Sequence, residues 1–205
     1  MTLATRPVTM LKIDAMNELE DFIKAYWGLA GDDLTRIASY FKPTALKKNE
    51  FYLKPGKICN TLSIQRSGIV RVYISDSEQE ITQWISAKGG FVSDLSGLVF
   101  DQPSKYYIQA LTDAEFYTIS HEDYVNIGRV IPQWHQLEKL FMARCFLFME
   151  ERIFSLLSMS TEQRYTWLFN HNPALFNEVP LQYLASMMGM TPETLSRIRK
   201  KNALR

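Results

Sequence analysis

Near the C-terminal end, the stretch GMTPETLSRIRKK, residues 189–201, sets Glu193, Ser196 and Arg197 within one helical turn of each other. A guanidinium at Arg197 can donate two parallel hydrogen bonds to the O6 and N7 edge of guanine. A carboxylate at Glu193 can accept from a cytosine N4 amine, and each such contact discriminates between bases by about 1–3 kcal/mol. On a helix, Pro192, Glu193, Ser196 and Arg197 share one exposed face. Arg199, Lys200, Lys201 and Arg205, with Thr191 at the helix start, suit phosphate contacts, which supply salt-dependent affinity without sequence information. A solvated helix also favours an acid in its first turn and bases in its last, so charge placement alone does not decide the matter.

The surrounding residues sharpen the reading. Leu184, Ala185, Met188, Gly189, Met190, Leu195 and Ile198 form the apolar skeleton of a helix-turn-helix pair. Ala185 is small where two helices would cross, Gly189 permits a left-handed turn, and Leu195 and Ile198 fall on one buried face. Thr191 is a good N-cap and Pro192 suits the first helical position. The last fifteen residues carry Arg197, Arg199, Lys200, Lys201 and Arg205 against Glu193, a local charge of +4, while the whole chain is only +1; residues 1–190 therefore sum to −3. The basic end alone points to a polyanion partner.

The rest of the 205 residues must position that end. Residues 17–41 place Leu19, Phe22, Ile23 and Trp27, then Leu34, Ile37 and Phe41, at helical spacing on either side of a Gly-Asp-Asp break, which predicts two short helices. Residues 51–119 instead alternate as half-buried strands in TLSIQR, IVRVYIS, EITQWIS, YYIQAL and AEFYTIS, with turn signals at Pro55-Gly56, Ser67-Gly68, Asp76-Ser77 and Gly89-Gly90. Their spacing of about ten residues predicts a β-sandwich or barrel. Helix returns after His121, and residues 133–159 predict one helix of about seven turns. Its middle is apolar nearly all round, which points to a partner chain, with Leu137, Leu140, Phe141, Phe148 and Leu156 as the dimer face. Ser160 with Gln163 predicts a capping box for the next helix, which Pro173 ends.

This order of elements resembles the Crp/Fnr family of bacterial transcription regulators over nearly the whole chain. LKPGKICNTLSIQRSGIVRVY is similar to that family's early β-roll strands, and TPETLSRIRKK to its recognition helix, with Pro192 where an arginine is common. The resemblance implies an α+β fold. A double-stranded, jelly-roll-like β-roll sensor would occupy residues 1–132, a dimerisation helix 133–159 and a small helix-turn-helix domain 160–205. The family's β-hairpin wing would be truncated or absent, since only Asn202-Ala203-Leu204-Arg205 follow the recognition helix. The resemblance implies a homodimer on double-stranded DNA, with RNA polymerase as a candidate further partner; the lack of a signal-peptide or membrane-helix run predicts that it is cytoplasmic. The alternative is a ligand-binding or scaffolding β-roll dimer without sequence-specific DNA binding.

In cyclic-nucleotide-binding members a glutamate holds the ribose hydroxyl and an arginine neutralises the phosphate. The matching positions here are Ser93, Asp94 and Leu95, then Ser104, Lys105 and Tyr106. Ser104 cannot supply a planar cationic fork, and an alternating strand points Lys105 to the opposite face, so the sequence predicts a roll that does not bind cyclic AMP. The candidate pocket, Phe91, Ser93, Asp94, Leu95, Ser104, Lys105 and Tyr106, either takes another effector or is closed by Phe91, Tyr106 and Tyr107 as ordinary core. No cofactor and no metal is predicted: Cys59 and Cys145 lack paired spacing and read as packing residues, the three histidines are scattered, and residues 51–119 contain none. No nucleophile elbow, phosphate-cradling loop or paired acid and base argues for an enzyme. No stretch approaches the length of a membrane helix or a signal peptide.

Overall fold

A computed structural model describes residues 18–76 and 78–203. The described chain opens with helices α1 (Glu18–Trp27) and α2 (Gly31–Ala38), which bury Phe22, Ile23, Trp27 and Ile37. Eight strands follow: β1 (Lys42–Leu46), β2 (Phe51–Leu53), β3 (Thr61–Ser67), β4 (Val70–Ser75), β5 (Glu80–Ser86), β6 (Phe91–Val92), β7 (Tyr107–Ala110) and β8 (Ala114–Ser120). A short helix, α3 (Leu95–Phe100), separates β6 from β7. The strands pair antiparallel in two four-stranded sheets, ordered β1-β8-β3-β6 and β2-β7-β4-β5.

The five predicted strands are β3, β4, β5, β7 and β8; β1, β2 and β6 escaped the sequence pattern. β1 carries Pro43, which offers no N–H, and its place at a sheet edge is where a missing donor is tolerated. β2 and β6 have three and two residues, too few for alternation to register. Leu53, Val70, Val92, Ile108 and Phe116 fill the space between the sheets.

Helix α4 (His121–Val130) leads into the 25-residue α5 (Trp134–Ser158). The first turns of α5 are consumed by the chain's own core: Trp134 and Phe141 are buried against Trp27, Phe91 and Ile127, with Leu137 packed alongside. This corrects the expected dimer face. Phe148 meets Trp84 edge to face at 5.3 Å, so of the five expected residues Leu140 and Leu156 remain exposed, and Leu156 also reaches toward the C-terminal helices. The open side carries Phe146, Leu147, Ile153, Phe154 and Leu157. Cys145 is likewise exposed and not packed, whereas Cys59 is buried. Among the described residues no helix is long and apolar enough to cross a membrane.

Four helices complete the described residues: α6 (Thr161–His171), α7 (Leu175–Glu178), α8 (Leu181–Met187) and α9 (Pro192–Ala203). The capping box at α6 is formed, with the Gln163 N–H donating to Ser160 Oγ at 3.3 Å and the Ser160 N–H to Gln163 Oε1 at 2.8 Å. Gly189, at φ 63°, turns the chain between α8 and α9, and a Cβ there would lie 3.0 Å from Arg164 Nη1. Tyr165, Leu168, Leu175, Phe176, Leu184, Leu195 and Ile198 pack together, but the cluster also takes in Ile69 and Ile85 from the roll. The C-terminal unit therefore does not close its core alone, as its small size foreshadows.

Candidate nucleic-acid interface and sensor pocket

The start of α9 is built by Thr191, whose Oγ1 accepts from the Thr194 N–H at 3.2 Å. Leu195 and Ile198 are buried toward α8, which leaves the opposite face outward. Pro192, Glu193, Ser196 and Arg197 line one shallow groove there, joined by Lys200 and Leu181. Arg197 Nη2 donates to Thr194 Oγ1 at a long 3.4 Å, so its fork is only lightly held. The Glu193 carboxyl is kept below its ordinary value by its own backbone N–H and then by the Thr191 hydroxyl, and it is ionised at neutral pH.

The basic residues separate. Lys200 shares the groove, whereas Lys201 is drawn away to α6, its Nζ 2.8 Å from Glu162 Oε1. Arg199 is half-buried. Arg205 lies outside the described residues.

In the roll, Asp94 caps α3: its Oδ1 accepts from the Ser96 N–H at 2.9 Å, while its Oδ2 is buried without a hydrogen-bond partner. Ser93 Oγ donates to the Thr61 carbonyl at 2.8 Å. Ser104 is buried, and its Oγ accepts from the Tyr106 N–H at 3.0 Å. Lys105 is exposed with Nζ 5.2 Å from the Tyr106 ring centre, and Leu95 is exposed as well. Phe91 belongs to the aromatic core with Tyr26, Trp27 and Phe141, and Tyr107 stacks on Tyr73 at 5.0 Å. Two of the residues that were to close the pocket are therefore held by ordinary ring packing. Among the described residues no cluster of three or more His, Cys, Asp or Glu side chains could hold a metal ion.

Residues 43–129 match the family model of the cyclic nucleotide-binding domain. That match takes in most of the roll and most of α4. Across nearly the whole chain the fold is shared with solved structures of Crp/Fnr proteins. A catabolite activator protein from Thermus thermophilus is 22% identical, with a TM-score of 0.54 over 86% of this chain and 84% of that one. A CooA variant from Carboxydothermus hydrogenoformans is 16% identical, with a TM-score of 0.63 over 95% and 86%. The c-di-GMP responsive global regulator CLP from Xanthomonas campestris is 17% identical, with a TM-score of 0.62 over 84% and 91%. No curated protein sequence matches the chain.

Within this Crp/Fnr fold one buried cation was not singled out from sequence. Arg71 on β4 is 1% exposed and lies between the rings of Tyr73, at 4.0 Å, and Tyr183 of α8, at 3.6 Å. Its Nε–H donates to Thr82 Oγ1 at 3.0 Å and its Nη1 to Glu80 Oε2 at 2.6 Å. Beside it the Thr82 N–H donates to Ser186 Oγ at 2.9 Å, so α8 is fastened directly to β5. Strand alternation gives Arg71 a face but not a neighbour, and the neighbour comes from the far end of the chain.

Proposed function

We propose that the protein is a homodimeric transcription regulator of Crp/Fnr type that reads a pseudo-palindromic operator, with α9 of each protomer in successive major grooves about 34 Å apart. The observation that carries this reading is the outward face of α9, where Pro192, Glu193, Ser196, Arg197 and Lys200 line one groove while Leu195 and Ile198 are buried behind it. Arg197 and Glu193 read bases, with Ser196 and Pro192 shaping the contact. Thr191, Arg199 and Lys200 meet phosphates. Lys201 and Arg205 belong to the same phosphate set, but Lys201 must first exchange Glu162 for a phosphate. RNA polymerase is the further partner such a regulator implies.

Arg197→Ala is expected to relax base preference at one position of each half-site. Lys200→Ala should weaken all duplexes alike and flatten the dependence of affinity on salt by about one unit of slope. Titrating both variants against a library of operator sequences at several salt concentrations separates these outcomes; unchanged specificity in Arg197→Ala would remove α9 from the reading role. If the parent protein shows no salt-dependent affinity for duplex DNA, the alternative of a ligand-binding or scaffolding dimer stands.

The roll of this regulator does not use cyclic AMP. Ser104, in place of the phosphate-neutralising arginine, spends its hydroxyl on the Tyr106 N–H, and Lys105 is turned out to solvent. An anion entering there meets the Asp94 carboxylate, which caps α3. A ligand at about 100 times its dissociation constant raises stability by about 2.7 kcal/mol. Cyclic AMP is therefore expected to leave the melting temperature where it is, and a clear rise in a thermal melt would overturn the assignment of Ser104.

A further inference from the structure

A second concavity lies away from both the α9 groove and the roll's phosphate position. A cavity of about 300 Å³ opens where β5, the last turns of α5, α6 and α8 converge. That volume is at the small end of the range for small-molecule sites. Its walls are aromatic and thioether, with Trp84 and Phe148 set edge to face at 5.3 Å and with Trp167, Met187 and Met188 opposite. Rings and thioethers of this kind form a polarisable, adaptable lining suited to a flat apolar body.

Two guanidinium groups enter this apolar space. Arg152 Nη2 donates to the Met187 carbonyl at 3.1 Å, and its cationic carbon lies 5.1 Å from the Trp84 ring centre. Burial pushes the Arg152 guanidinium below its ordinary value. Arg164 Nη1 donates to the Met188 carbonyl at 2.6 Å, while its Nε is buried and has no hydrogen-bond partner. Among the described residues neither arginine has a carboxylate within the 4.0 Å of an ion pair. Glu151, the one carboxylate in the lining, is exposed. Two guanidinium groups less one carboxylate leave the lining with a net charge of +1. A desolvated cation without an anion, as at Arg152, is unfavourable, and a buried N–H without an acceptor, as at Arg164 Nε, is unfavourable too; one ligand carboxylate would relieve both.

We propose that this cavity binds a small aromatic monocarboxylate, its ring among Trp84, Phe148 and Trp167 and its carboxylate held by Arg152 and Arg164. A dianion would exceed the net charge of the lining, and a neutral aromatic, even one with an acceptor for the Arg164 Nε–H, would leave the two cations without an anion. Because the walls come from the roll, α5 and the C-terminal helices together, the ligand would bear on how these three parts pack. The site does not depend on the DNA-reading assignment, and its test involves no DNA.

The experiment titrates the full chain with 2-naphthoate, following quenching of tryptophan fluorescence, since Trp84 and Trp167 stand in the wall, together with the melting temperature. The neutral isostere 2-naphthamide is run beside it. Saturable quenching by 2-naphthoate is expected, with 2-naphthamide at least about tenfold weaker, the magnitude of one charge-assisted hydrogen bond. Arg152→Gln should cut naphthoate affinity about tenfold and leave the amide unchanged. Ser155→Phe, which fills the cavity from α5, should abolish both. If Ser155→Phe does not fold, Arg164→Gln replaces it, with the same selective loss of naphthoate expected. The assignment is overturned if 2-naphthoate gives no saturable quench, if the amide binds as well as the acid, or if the arginine variants bind naphthoate as the parent does.

Discussion

Leu147→Glu combined with Leu157→Glu is expected to turn the proposed dimer into a monomer and to lower affinity for a two-half-site operator about a hundredfold or more. Leu147 is 55% exposed and Leu157 82% exposed within one chain, on the side of α5 that also bears Phe146, Ile153 and Phe154. Leu140, Leu147 and Phe154 recur every seven residues, with Leu157 three further on, which is the spacing of a two-helix seam. Burying one leucine is favourable by about 1.5–3 kcal/mol, and two-fold symmetry makes each substitution act twice. Four glutamates would then face each other across the seam, so loss of apolar burial and charge repulsion act in the same direction. Joining two reading heads raises affinity about 10²–10⁴-fold over one, and that gain disappears with the dimer. Sedimentation gives the mass, and titration of whole and half operators gives the affinities. The whole-operator loss should come with unchanged half-operator binding. A variant that remains dimeric would place the seam elsewhere.

Arg71→Ala should destabilise the chain by about 3 kcal/mol, the sum expected of a desolvated cation–π contact and a charge-assisted hydrogen bond. The Glu80 side chain is 45% exposed, so losing its partner does not strand a buried charge, and the larger penalty of a broken buried ion pair does not apply. For a chain of this size that loss corresponds to about 6–12 °C in melting temperature. Arg71→Lys keeps the charge but not the plane that fits between Tyr73 and Tyr183, so it should fall between the parent and the alanine variant. Tyr183→Ala should reproduce much of the effect from the other side, because the contact joins the roll to α8. Urea unfolding of all three variants reads these differences. A loss under about 1 kcal/mol in Arg71→Ala would mean that the fastening resides in the apolar contacts of Ile69 and Ile85 and in the Thr82–Ser186 hydrogen bond.

How much of this was legible in the sequence depended on how local each signal is. The face of α9 is set by residues within two turns of each other and by a cap at Thr191, so its membership could be written from spacing alone. Strands β3, β4, β5, β7 and β8 announce themselves by alternation over at least four residues, whereas β1, of five, is masked by Pro43. Helix α5 was legible as a helix whose apolar surround needed more than one neighbour. Which neighbour takes which residue was not, because Phe141 is claimed by Trp27 of α1 and Phe148 by Trp84 of β5, elements far away along the chain. The cavity was invisible for the same reason: Arg152 and Arg164 look like ordinary solvated helix cations until Trp84, Met187 and Met188 enclose them. Lys201 read as a free phosphate ligand because its tie to Glu162 crosses between helices.

The hydrogen bond between the Thr82 N–H and Ser186 joins residues 104 positions apart and binds α8 to β5. In the proposed dimer this makes the reading heads prongs of a fixed gauge and not beads on a tether. The gap between the two half-sites is then set by the sensor domains that carry the prongs. One base pair added to the operator's centre turns one half-site by about 34° relative to the other, since about 10.5 base pairs make a turn. A rigid gauge cannot follow that rotation without loosening α8 from the roll, so spacer length and sensor packing become two readings of one mechanical coordinate.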